Sequence, residues 1–213
     1  VIDRSLLPSL GVAGGLAGFW VTSWVASGRQ PDYDPRIDYL SALAASGAVQ
    51  PGWGIAMFVF GGLALLAASV SVARAGVEHP RMRRAASSAL LAGSVAVLVA
   101  GMARVGCPDG AAGCNAGPRV AEATAAGVVH AWSVGAYQVC LTVAALVLAW
   151  AVHAHGRRGA AVGLTVAAIT VTVLALDPLP LQPGSSQRLW VAAGHALLVG
   201  LVVVGAGRAT VSR

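Results

Sequence analysis

Apolar residues run through this chain in long, nearly unbroken blocks, and polar residues collect in the short stretches between them. Six blocks stand out: Leu6–Val25, Gly52–Ala73, Ala85–Ala103, Ala123–Val152, Ala160–Leu176 and Leu189–Ala206. A helix needs about 20 mostly apolar residues to cross the hydrocarbon of a bilayer, and each block is near that length. The pattern predicts an all-α, polytopic integral membrane protein: one transmembrane domain over residues 1–213, a six-transmembrane-helix bundle. The first block is longer than the roughly 7–15-residue apolar core of a signal peptide, so it reads as a span despite the small residues of "WVASG".

Composition supports the pattern. Charged residues are 10% of the chain and hydrophobic residues 57%, whereas soluble domains carry about 25% charged residues. The net charge of +6 comes from fourteen arginines scattered through the loops, without a basic patch interleaved with aromatics. Nucleic acid is therefore not an expected partner; an anionic membrane surface is. With six spans both termini share a side. A cytoplasmic N-terminus puts Arg4, Arg74, Arg81, Arg83, Arg84, Arg157, Arg158, Arg208 and Arg213 inside, nine against the five at Arg29, Arg36, Arg104, Arg119 and Arg188. Arginine excess in short loops marks the cytoplasmic side, so both termini are expected in the cytoplasm and the protein in the plasma membrane. Trp20, Trp24, Trp53, Trp132 and Trp190 then fall near the outer helix ends, as interfacial aromatics do.

The segment "DYDPRIDYLSALAASG" gathers Asp32, Asp34 and Asp38, three of only eight acids, in the first outer loop. It is expected to cap an outer vestibule, with its acids paired to Arg104 and Arg188. Ionisable groups inside spans are costly and by default functional. His130 and His195 each fall about two turns into an outward-starting helix on the expected boundaries, at similar depth. Helix four adds Glu122, Ser133, Tyr137 and Cys140 at helical spacing with His130, a polar stripe that should face the bundle interior. Gln187 and Arg188 open helix six and Asp177 ends helix five. The plain alternative is that each histidine bonds a neighbouring carbonyl or hydroxyl and does nothing more. Small residues four apart in helix one, Gly11 with Gly15 and Gly14 with Gly18, permit close helix contact, within the chain or with a second copy. In "CPDGAAGC", Cys107 and Cys114 flank a flexible turn on the oxidising side, which suits a disulfide; Cys140 reads as a small apolar residue.

The segments "YDPRIDYLSALAASGAVQPGW", "VGCPDG", "GVVHAW" and "SSQRLW" resemble the bacterial and archaeal membrane family called domain of unknown function 998. The resemblance carries Asp34, Pro35, Ser41, Leu43, Ala44, Pro108 and His130, implies six membrane helices, and implies no chemistry. Cys107 stands where that family usually has an aromatic residue, so the disulfide would be peculiar to this branch.

Three functions remain open. One is an accessory subunit of a membrane complex or a lipid-binding protein, with the bilayer and other membrane subunits as partners and no catalytic motif. A second is a metal-dependent hydrolase acting on outer-leaflet lipid, its catalytic candidates Asp38, Ser41, His130, Asp177 and His195 and its metal candidates His130 and His195. The third is bis-histidine haem binding by His130 and His195. A transporter fits less well, since no inverted repeat or broken helix is evident. No cofactor is singled out.

Overall fold

The computed structural model describes residues 7–31, 33–76, 79–106, 124–176 and 180–206. It is all helical, without a strand among the described residues. Six helices are long and apolar enough to cross a membrane: α1 Leu7–Arg29, α2 Pro51–Arg74, α3 Pro80–Met102, α4 Ala125–His153, α5 Arg158–Ala175 and α6 Pro183–Ala206. A short 3-10 segment, Leu40–Ala44, lies between α1 and α2. The expected spans are all present, but α3 and α6 begin five and six residues earlier than the apolar blocks. Their first turns, "PRMRR" and "PGSSQR", are polar and read as loop by hydropathy. Proline at the start of a helix costs no hydrogen bond because the first amides are unpaired anyway, and α2, α3 and α6 all open on one.

Neighbouring helices pack in chain order, and α6 closes back onto α2 and α4. The main core is built from Leu65, Ala68, Val72, Leu90, Leu141, Ala145, Leu148, Ala168, Leu198 and Leu201, with Val12 from α1. Without a hydrophobic drive between helices in lipid, contact depends on small residues that let backbones approach. A Cβ on Gly15 would lie 2.8 Å from Ala64, and one on Gly11 2.9 Å from the Ala67 Cβ. The α1 glycines thus serve contact with α2 inside the chain; Gly14 meets nothing within 4 Å. Gly62 receives Leu98, and Gly101 receives Phe58, along the α2–α3 contact. Ser69 and Ser87 bond across the same pair, and the Ser94 hydroxyl donates to the Gly62 carbonyl at 2.8 Å.

At the end of the bundle where α1 stops and α2 starts, the chain turns inward. Leu40, Ala42, Leu43, Ala44 and Ala45 are all buried, and Leu40 and Leu43 form a second apolar cluster with Phe19, Ala26 and Met57. This buried cap brings its backbone into contact with α2 at Gly54, where any Cβ would collide with the Leu43 carbonyl. Non-regular backbone at that position needs partners, because an unpaired buried carbonyl or amide is costly. Two arginines supply most of them. Arg104, just past α3, donates from Nε to the Ala44 carbonyl at 2.9 Å and from Nη2 to Ala45 at 2.7 Å. Arg188, in the second turn of α6, donates from Nη1 to the carbonyls of Pro35, Asp38 and Gly184 and from Nη2 to the Tyr33 hydroxyl. The Leu40 amide donates to Gln187 Oε1 at 2.6 Å, and Gly184 and Ser185 donate their amides to Ile37 and Arg36.

For Asp34 and Asp38 the expected pairing with these arginines is therefore replaced by arginine-to-carbonyl bonding; Asp32 lies outside the described residues. The acids shape the turn instead. Asp38, 5% exposed, accepts the Asp34 amide at 2.7 Å, and Asp34 pairs with Arg36 at 2.8 Å. Hydrogen bonds from Arg36 hold the Asp34 carboxyl below its ordinary pKa. Burial pushes the Tyr33 phenol up, against the pull of Arg188.

Gly54→Ala is expected to lower stability by about 1–3 kcal/mol through overpacking against backbone, read as a lower Tm in detergent. Arg188→Ala leaves half-buried carbonyls without donors and should cost about 1–3 kcal/mol. Arg36→Ala, at an exposed pair, should leave the Tm unchanged in the same measurement.

Candidate functional site

A cavity lies between the cap and the core, bounded by the cap residues Leu40 and Ser41 and by all of the helices except α5. Its space between atoms, including the open mouth, is about 670 Å³. The walls are mainly apolar: Phe19, Met57, Phe58, Leu65, Val97, Val134, Val191 and Leu198. Ser41, His130, Tyr137, Gln187, Trp190 and His195 interrupt them. Among the described residues, no Asp, Glu, Lys or Arg lines the cavity.

Each polar side chain has a definite placement. His130 is buried in α4, its Nδ1 2.8 Å from the Ala100 carbonyl, its ring edge-on to Phe58. A carbonyl only accepts, so Nδ1 carries the hydrogen. His195 has edge-on aromatic contacts with Phe19 and Trp20, at centroid distances of 4.7 and 5.7 Å, and its buried Nδ1 has no hydrogen-bond partner. The Tyr137 hydroxyl abuts α6 at Gly194, where an added Cβ would stand 3.0 Å away, and it too lacks a protein partner among the described residues. Gln187 commits its Oε1 to the Leu40 amide of the cap.

The histidines do not lie at one depth. Contacts of Trp190 with Gln138 and of Gly194 with Tyr137 set the register of α6 against α4. That places His195 near the level of Tyr137, seven residues further along α4 than His130, or about 10 Å at 1.5 Å per residue. The six extra residues at the start of α6 account for the shift. Matched depth, the motive for bis-histidine haem ligation, is absent.

The remaining candidates separate into distinct groups. Asp38, Arg104 and Arg188 belong to the cap's own bonding and do not line the cavity. Ser133 is half-buried on α4 outside the lining, and Cys140 packs beside Gly93. Glu122, Asp177, Cys107 and Cys114 lie outside the described residues, and with them the expected disulfide. Among the described residues, no three His, Cys, Asp or Glu side chains gather where they could share a metal ion.

A polar relay behind the cavity was not among the sequence-derived candidates. Trp190 Nε1 donates to Gln138 Oε1 at 2.7 Å, Gln138 Nε2 donates to Thr142 Oγ1 at 3.0 Å, and Thr142 meets Thr172 of α5 at 3.1 Å. It orients the Trp190 indole, which lines the cavity rather than serving as an outward interfacial anchor; Trp24, Trp53, Trp132 and Trp150 are the exposed rings. The available signal was an amide in mid-span followed one turn later by a hydroxyl, both expensive in lipid.

No curated protein and no solved structure matches this chain. The family described as a protein of unknown function, DUF998, matches residues 12–204, nearly the full length of the bundle and its cap. The capped six-helix chain belongs to that family.

Proposed function

We propose that the protein binds a lipid-like molecule in the capped cavity, at the extracytoplasmic side of the plasma membrane, with both termini in the cytoplasm. The observation that carries this reading is an apolar chamber lined by His195, whose buried Nδ1 has no hydrogen-bond partner among the described residues, and by Tyr137, whose hydroxyl has none there either. Buried polar groups in proteins nearly always find a partner, so an orphan requires an explanation. A chamber with apolar walls and a few convergent polar groups is the ordinary form of a small-molecule site. The orientation rests on the arginine count of nine against five.

The hydrolase reading has less behind it. Ser41, His130 and His195 share the cavity, but Asp38 spends its carboxylate on the Asp34 amide. A metal-dependent reaction would need a third ligand beside the two histidines, and none gathers there among the described residues.

The test is extraction and mass spectrometry of lipid retained by detergent-purified protein, for wild type and for Val134→Trp, which fills the cavity from α4. Wild type should carry a defined lipid species and the variant should not, at equal monodispersity. Equal lipid content in both overturns the reading. For the orientation, single cysteines introduced at Gly76 and at Gln50 should differ in labelling by an impermeant maleimide on whole cells, with Gln50 reactive and Gly76 protected.

A further inference from the structure

We infer that the head of the bound molecule is uncharged and carries hydroxyl or carbonyl oxygens, as in a prenol, an uncharged glyceride or an isoprenoid quinone. This rests on the ligand-binding reading above and specifies its chemistry.

The argument begins with charge. Among the described residues, the cavity lining holds no acidic or basic side chain other than its two histidines. Placing an ionised head in an apolar chamber without a counter-ion costs several kcal/mol. The two part-buried arginines that hold the cap, Arg104 and Arg188, are engaged and unavailable as counter-ions. Arg104 is bonded to the Ala44 and Ala45 carbonyls, and Arg188 to those of Pro35, Asp38 and Gly184. Withdrawing either would leave the cap's backbone unpaired inside the protein. Among the described residues, a phosphate or carboxylate head therefore has no counter-ion to meet it.

Hydrogen-bonding capacity points the same way. Gly194 allows the Tyr137 hydroxyl to lie directly against α6, one residue before His195. Both residues line the chamber, and between them that hydroxyl and His195 Nδ1 supply one certain donor and one donor or acceptor, depending on the tautomer. A carbonyl oxygen can accept from both when Nδ1 carries the hydrogen. A hydroxyl can accept from Tyr137 and donate to an unprotonated Nδ1. Either head satisfies both orphans without a charge. Closer to the cap, Gln187 Oε1 already accepts the Leu40 amide, which leaves its NH2 group and the Ser41 hydroxyl for a second oxygen. Phe19, Phe58 and Trp190 supply flat walls for the body of the molecule.

Binding is measured by quenching of tryptophan fluorescence and by thermal shift in a non-ionic detergent. The probes are geranylgeraniol, dioleoylglycerol, decylubiquinone, oleate and dioleoyl phosphatidylglycerol. Each is added to wild type, Tyr137→Phe, His195→Leu and Val134→Trp. At least one uncharged probe should bind wild type, and both anionic probes should be at least about tenfold weaker. Tyr137→Phe removes one oxygen and leaves the ring, so it keeps the shape of the chamber; it should weaken that probe about tenfold. A response to decylubiquinone alone identifies a carbonyl head and a response to geranylgeraniol alone a hydroxyl head; both support the inference. Anionic probes that bind as tightly, with the binding lost in Val134→Trp, would overturn the neutral head while leaving the binding reading intact. Unchanged affinity for the uncharged probe in both Tyr137→Phe and His195→Leu would also overturn it. If no probe binds wild type, the binding reading and this inference fall together.

Discussion

Everything at the capped end of this bundle depends on satisfying irregular backbone away from water. A helix pairs its own amides and carbonyls, but the segment from Tyr33 to Ala45 does so only in part, through its turns and the 3-10 segment, while Asp38, Leu40 and residues 42–45 are buried. Arg104 and Arg188 meet that demand with multiply donating guanidinium groups, which suit carbonyl oxygens at differing positions better than a single ammonium would. The arrangement also answers why so apolar a chain gathers acids in its first loop. Asp34 and Asp38 fold the turn, and the turn presents its carbonyls to the arginines.

The cavity is a consequence of that cap. Gly54 lets the Leu43 backbone descend onto α2, and the 3-10 segment then covers a space that the helices alone would leave open. The arginines are engaged above it, and among the described residues no Asp, Glu, Lys or Arg lines the chamber below. Its polar atoms come from α4 and α6, brought together by the close approach at Gly194 and held from behind by the Trp190–Gln138–Thr142–Thr172 relay. The hydrogen bond to Gln138 fixes the orientation of the Trp190 indole in the chamber wall.

The opposite end is built more simply. Arg83 donates to the Ala75 carbonyl and Arg157 to Val204, so arginines again close helix ends, but among the described residues no buried segment intervenes. The His79 and His155 rings lie 4.8 Å apart there, between the α2–α3 and α4–α5 connections. Most arginines assigned to the cytoplasm cluster at this end, where they suit an anionic lipid surface.

The sequence by itself determined the number of helices, their approximate spans and the class of protein, because the need to cover about 30 Å of hydrocarbon with apolar helix is a one-dimensional constraint. It also pointed to His130, Tyr137, His195, Ser41 and Gln187, because polar groups in lipid-sized apolar runs are conspicuous. Only the tertiary structure decided which of them meet. The register between α4 and α6 depends on Gly194 and on Trp190, neither of which hydropathy can place, and the polar first turn of α6 disguised its start. Likewise the partners of Arg104 and Arg188 are carbonyls, which every residue possesses and which no sequence pattern marks. Side-chain chemistry is written along the chain, whereas the pairing of backbone oxygens appears only when the chain is folded.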